Sequence, residues 1–247
     1  MNNETLLFRG VILSIVLQLI FCFWTGSTPA IAKSRFEPWN EQVFTAVGKR
    51  YGHAAAERLR KVHDLILENQ DKTVPEKLKL VNGFLNNFPW IADSALWSHD
   101  DYWAAPFETI TTYGGDCEDI AIAKYWILRR MGIPDEKLGF AYVMSANKKQ
   151  HMVLLYMASR YADSLILDNL HPDILPFAKR RDIIGICLFQ NGGIFYLIED
   201  DGGSSRKFKA RYERVKLSKW SSTMEREQMF DQLYAKYNND LPLIPNN

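Results

Sequence analysis

Residues 120–128, Ile-Ala-Ile-Ala-Lys-Tyr-Trp-Ile-Leu, follow directly on Gly114-Gly115-Asp116-Cys117-Glu118-Asp119 and are apolar nearly throughout, Lys124 being the charged exception. A helix with almost no polar face belongs in an interior, so the rest of the chain has to wrap around it. The two glycines let the backbone turn tightly, Asp116 suits an N-cap, and Asp119 can return a bond in the manner of a capping box. Cys117 then falls in the first helical turn, where unpaired N–H groups and the positive end of the helix dipole favour thiolate. The same three acids also suit an ordinary helix start with an incidental cysteine, so the decision rests on a partner for the thiol.

The flanking sequence fixes the fold class. His53–Asn69 places Leu59, Val62, Leu65 and Ile66 at helical spacing, and Val74–Phe88 does the same with Leu78, Val81, Phe84 and Leu85, Pro75 falling in its first turn. From Leu138 the period shortens. The runs 138–144, 151–157, 165–170, 183–189 and 194–198 are brief, rich in β-branched and aromatic residues, and separated by turn residues such as Asn191-Gly192-Gly193. A polar Gly/Ser loop over 200–205 and a closing helix over about 223–237 follow. Helices first and strands later predict an α+β domain with an antiparallel sheet. No repeat or linker divides residues 33–247, which are read as a single domain.

The first 32 residues read as an export signal. A short polar start with Arg9 precedes the apolar run Val11–Trp24, Thr25–Pro29 breaks it, and Ala30-Ile31-Ala32 offers the small residues of a cleavage site. At 14 residues the run is short of the roughly 20 that span a membrane, although a retained anchor is the alternative. Cleavage after Ala32 removes Cys22 and leaves Cys117 and Cys187, the latter in the apolar run 183–189, where it reads as a small buried hydrophobe. The net charge of +1 is unchanged by that cleavage, because Glu4 and Arg9 cancel. Such neutrality argues against nucleic acid and acidic membrane surfaces as partners.

Among five histidines, His151 alone opens a strand-like run, and the next run ends in Asp168. A hairpin centred between Ser159 and Arg160 sets these two directly opposite each other, close enough for an imidazole–carboxylate hydrogen bond. With an activated cysteine upstream, the set fits nucleophile, base and orienting carboxylate.

The order Cys117, His151, Asp168 is that of transglutaminase-like cysteine peptidases, whose papain-like α+β fold is thereby expected. The local text is closer still. Asp101-Tyr102-Trp103-Ala104 with Pro106 and Glu108, Gly115-Asp116-Cys117-Glu118-Asp119 with Ala123-Lys124-Tyr125, Gln150-His151-Met152-Val153-Leu154, and Leu167-Asp168-Asn169-Leu170 resemble the LapG-type bacterial periplasmic proteases over about residues 36–200.

The resemblance implies a calcium-requiring periplasmic endopeptidase that cuts the N-terminal region of a large surface adhesin beside a di-alanine, releasing it and dispersing a biofilm. It also implies an inhibitor, the periplasmic domain of an inner-membrane cyclic di-GMP receptor. Carried over, Cys117 is the nucleophile, His151 the base and then acid, and Asp168 the group that fixes the imidazole. The Cys117 N–H is a natural oxyanion donor. Trp103 is a second donor, a substrate wall or simply a core aromatic. Two bare carboxylates beside a thiol would oppose its ionisation, and a divalent cation would reverse that sign. Asp116 and Glu118 are the ligands best supported for Ca2+, with Asp101 as a third that Glu108 or Asp119 could replace. An acyltransferase or cell-wall amidase using the same triad, and an idle binding module, are the competing functions.

Overall fold

The computed structural model describes residues 36–159, 163–190, 193–200, 207–213 and 217–238. The expected signal segment 1–32, the hairpin turn at 160–162 and most of the polar loop lie outside the described residues.

Helices come first, at α1 (Glu41–Tyr51), α2 (His53–Asn69), α3 (Val74–Leu85), α4 (Asp93–Leu96), α5 (Pro106–Thr112) and α6 (Cys117–Arg130). The strands β1 (Leu138–Ser145), β2 (Gln150–Tyr156), β3 (Leu165–Leu167), β4 (Leu175–Pro176), β5 (Ile183–Gln190), β6 (Gly193–Asp200) and β7 (Lys207–Glu213) follow, and α7 (Ser218–Asn238) closes the described chain. The strands form one sheet in the order β4-β3-β2-β1-β5-β6-β7, with every neighbouring pair antiparallel. The α+β expectation therefore holds.

Helix α2 spans the predicted residues and buries Leu59, Val62 and Ile66. Helix α3 starts at Val74 because Thr73 and Glu76 close a capping box, the Thr73 N–H donating to Glu76 Oε2 at 2.9 Å. It stops three residues short of the expected Phe88. Helix α6 is the interior element its sequence demands: Ile122, Ile127 and Leu128 are inaccessible to solvent, and β2, α3 and α5 pack around it. Each such side chain contributes about 1.5–3 kcal/mol on burial. Lys124 is equally buried, and its Nζ donates to Asn82 Oδ1 on α3 at 2.8 Å. Burial pushes this amine down to about 7.

Two strands went unforeseen. Residues 207–213, Lys-Phe-Lys-Ala-Arg-Tyr-Glu, alternate charged and less polar positions with the period of a strand, so the polar loop joins β6 to β7. The other, β4, is a two-residue edge. The closing helix starts at Ser218, earlier than predicted. It docks through Phe230, stacked on Phe107 at 3.6 Å, and Tyr234, stacked on Trp39 at 4.6 Å. No helix among the described residues is long and apolar enough to cross a membrane.

Candidate active site and acidic cluster

Cys117 opens α6, and the strand-like segment 89–91 runs beside the turn that precedes it. The Gly115 carbonyl accepts from Ile91 N at 3.0 Å, and Gly115 N donates to Pro89 O at 3.3 Å. This close approach explains the glycines. A Cβ on Gly114 would lie 2.6 Å from Ile91 Cδ1, and one on Gly115 would lie 2.5 Å from Asp119 Oδ2 and 2.6 Å from Asp119 Cβ. Gly115→Ala is therefore expected to displace Asp119 and to destabilise the fold by about 1–3 kcal/mol, the usual cost of overpacking. Thermal unfolding of the variant checks this, and an unchanged melting temperature would contradict it.

Of the capping box expected at this helix start, the half from Asp119 is present, its carboxylate interacting with the Asp116 backbone N–H, and the half from Asp116 is not. Asp116 occupies the N-cap with extended backbone, but its carboxylate makes no capping bond. Asp119 reaches back to the preceding segment, accepting from Ala104 N at 2.7 Å. Nor do the protein groups around the thiol favour thiolate. The Cys117 thiol donates to Glu118 Oε2 at 2.9 Å. Burial and the Glu118 charge hold it well above the usual thiol range, against the opposing help of the Met152 N–H. A helix terminus contributes only about half a charge, which burial and adjacent carboxylates outweigh.

His151 opens the buried part of β2, directly before Met152, whose backbone N–H faces the thiol. Its Nε2 lies 2.7 Å from Asp168 Oδ1. The strand register differs from the expectation: Leu154 pairs with Leu167 and Tyr156 with Leu165, which shifts the hairpin by two residues. His151 and Asp168 are thus diagonal rather than directly opposed. A two-residue slip keeps both on one face, where a one-residue slip would have separated them. Asp168 is 1% exposed, and burial alone would raise its pKa; hydrogen bonds from His151, Leu170 N and Arg180 reverse this and hold it well below the usual carboxylate range.

Beside the thiol lies a cluster of acids. Ligand atoms of Asp93, Asp116 and Asp119 lie within 4.8 Å of one another, as do those of Asp93, Asp101 and Glu118, and those of Asp116, Cys117 and Glu118. Asp93 Oδ1, Asp116 Oδ1 and Asp119 Oδ2 are buried with no hydrogen-bond partner among the described residues. Burial followed by mutual repulsion pushes Asp116 up to about 9 and Asp119 to about 7. The Lys219 ammonium pairs with Asp101.

Of the sequence candidates, Asp101, Asp116, Glu118 and Asp119 converge here. Glu108 is committed elsewhere, accepting from Ala105 N at 2.7 Å and pairing with Arg226. Trp103 is a core aromatic, 5% exposed and stacked on Phe189 at 5.7 Å. Cys187 is half-buried on β5, and both Cys117 and Cys187 are free thiols. Sequence reasoning missed Asp93. It lies 23 residues before Asp116, and only the first turn of the four-residue α4 brings it in.

The model of the bacterial transglutaminase-like cysteine proteinases matches residues 43–181. None of the curated proteins matches the chain. Among solved structures, calcium-bound LapG of Legionella pneumophila is 32% identical, with a TM-score of 0.62, covering 75% of this chain and 98% of its own. The EGTA-treated form of the same protein is 31% identical with a TM-score of 0.62, covering 77% and 99%. The chain belongs to the family of bacterial transglutaminase-like cysteine proteinases, as a LapG-type peptidase with the papain-like α+β fold.

Proposed function

We propose that this chain is an exported, calcium-dependent cysteine endopeptidase that cuts the N-terminal region of a large surface adhesin beside a di-alanine, and so promotes biofilm dispersal in the periplasm of a Gram-negative cell. The observation that carries the reading is a thiol at a helix start, beside the strand that presents an imidazole already fixed by a buried carboxylate. In this reading Cys117 Sγ attacks the scissile carbonyl. His151 takes the thiol proton at Nδ1, since Nε2 is engaged by Asp168, and returns it to the leaving amine. The Cys117 N–H donates to the oxyanion. Water then hydrolyses the thioester, with His151 acting as base.

The acidic cluster fits calcium. It offers hard oxygen donors with three buried oxygens unpartnered, and solved LapG is calcium-bound. Asp116, Glu118 and Asp101 would hold the ion, joined by Asp93 and the second oxygen of Asp119. The cation would supply the positive charge that lets the neighbouring thiol ionise. The inhibitor in this reading is the periplasmic domain of an inner-membrane cyclic di-GMP receptor.

Incubation with a recombinant N-terminal adhesin fragment, followed by mass analysis, tests the reaction. Two products that together gain one water and meet at an Ala-Ala bond support it. An intact fragment, with a peptidoglycan stem peptide hydrolysed or an added amine incorporated, would assign the triad to an amidase or acyltransferase.

A further inference from the structure

Arg180 lies between β4 and β5, just after the 3-10 turn Phe177–Lys179, and is 4% exposed. Its Nη2 donates to Asp168 Oδ2 at 2.8 Å and to Asp182 Oδ2 at 2.7 Å, while Nε donates to Asp182 Oδ1 at 2.8 Å. The Asp168 carboxylate is thereby divided between two partners. Oδ1 serves the His151 ring and Leu170 N, and Oδ2 serves the guanidinium. The Asp168 backbone is pinned separately, its carbonyl accepting from Asn86 Nδ2 at 2.9 Å.

A carboxylate held through one oxygen can still swing about its terminal torsion, which is broad and nearly two-fold. Fixing the second oxygen removes that freedom and sets the direction in which Oδ1 meets the imidazole. Asp182 steadies the guanidinium from the solvent side, its own side chain being 54% exposed.

The arrangement is poorly explained as a stabilising device. Arg180 Nη1 is buried with no hydrogen-bond partner among the described residues, and a buried ion pair roughly breaks even against apolar packing. An orphaned buried donor adds a further cost. Lysine could not reproduce the fork, because it presents a point charge rather than a planar array of donors.

We propose that Arg180 is a positioning residue for the reaction: by clamping Asp168 Oδ2 it fixes the plane of the carboxylate and, through Oδ1, the orientation of the His151 ring toward Cys117. This rests on the catalytic reading of Cys117, His151 and Asp168.

Arg180→Met, Arg180→Lys and Cys117→Ser are compared with the wild type on the adhesin fragment in calcium, with circular dichroism melts as the folding control. R180M is expected to lose about 10²-fold in kcat, the scale of a small misplacement of reacting groups, with KM within about twofold. R180K, able to make one charged bond to Oδ2, is expected to recover at least about fivefold of that loss. A folded R180M with kcat within about threefold of wild type, or a loss carried by KM instead, overturns the proposal. Should R180M not fold, R180K decides: a kcat lowered about tenfold at constant KM supports it, and a wild-type kcat overturns it. Cleavage by C117S would instead remove the catalytic reading itself, which separates the two failures.

Discussion

Cys117→Ser should reduce cleavage of the adhesin fragment by at least about 10³-fold while leaving the fold in place. The substitution exchanges sulfur for oxygen at the first position of α6 and keeps a hydrogen-bond donor facing Glu118 Oε2. What it removes, in the reading proposed above, is the nucleophile. A hydroxyl ionises far above a thiol, so an imidazole able to deprotonate Cys117 is a much poorer base toward a serine in its place. His151→Ala should have a comparable effect, because the thiol is held well above its ordinary range by burial and by Glu118 and needs a base. The measurement is initial rate, together with the rate of alkylation by iodoacetamide. A wild-type rate in the serine variant would end the assignment of Cys117, and a thiol inert to iodoacetamide in active conditions would favour an idle binding fold.

Chelation is the second large effect. With EGTA, cleavage should fall to background, and calcium, not magnesium, should restore it. The cluster mixes several partly buried carboxylates in an irregular array that suits a large, flexible coordination sphere better than a strict octahedron. Calcium at about 100 times its dissociation constant adds roughly 2.7 kcal/mol to stability. In a chain of this size that corresponds to a rise in Tm of about 5–10 °C.

The pH dependence of the metal-free protein has a definite sign. Asp116, pushed up to about 9, and Asp119, to about 7, bind protons more tightly when folded than when unfolded. Stability in EGTA should therefore be greatest at low pH, and Tm should fall as pH rises from about 5 to 8. Calcium should flatten that slope. A metal-free Tm that rises over the same interval would contradict the cluster described. Asp116→Asn with Glu118→Gln should abolish the calcium-dependent shift.

What could be read beforehand followed from how local each signal is. The start of α6 and the placement of Cys117 within it are written in consecutive residues, so Gly114 to Leu128 declared them. The bounds of α2 were legible for the same reason. The pairing of His151 with Asp168 depended on a turn whose length the sequence does not state, and the register moved by two. The face survived because side chains alternate with a period of two. Asp93 and Arg180 were out of reach. Each sits in a segment with no periodicity, and Asp93 reaches Asp116 and Asp119, as Arg180 reaches Asp168, only through tertiary packing. The opposition of Asp116 and Glu118 to thiol ionisation was legible from their places beside Cys117, whereas the larger contribution of burial depends on packing that local sequence does not state.

The last helix lies well beyond residues 43–181, yet Thr223 Oγ1 donates to Trp103 O at 2.7 Å, the Arg226 guanidinium reaches the same carbonyl, and Lys219 pairs with Asp101. Tyr234 on that helix stacks on Trp39, before α1. The closing helix thus contacts both residues 101–103 and Trp39, joining late and early segments of the described chain. In the calcium reading proposed above, loosening this helix would disturb Asp101 as a ligand, so the smallest unit able to respond to calcium would extend beyond the segment that carries Cys117, His151 and Asp168.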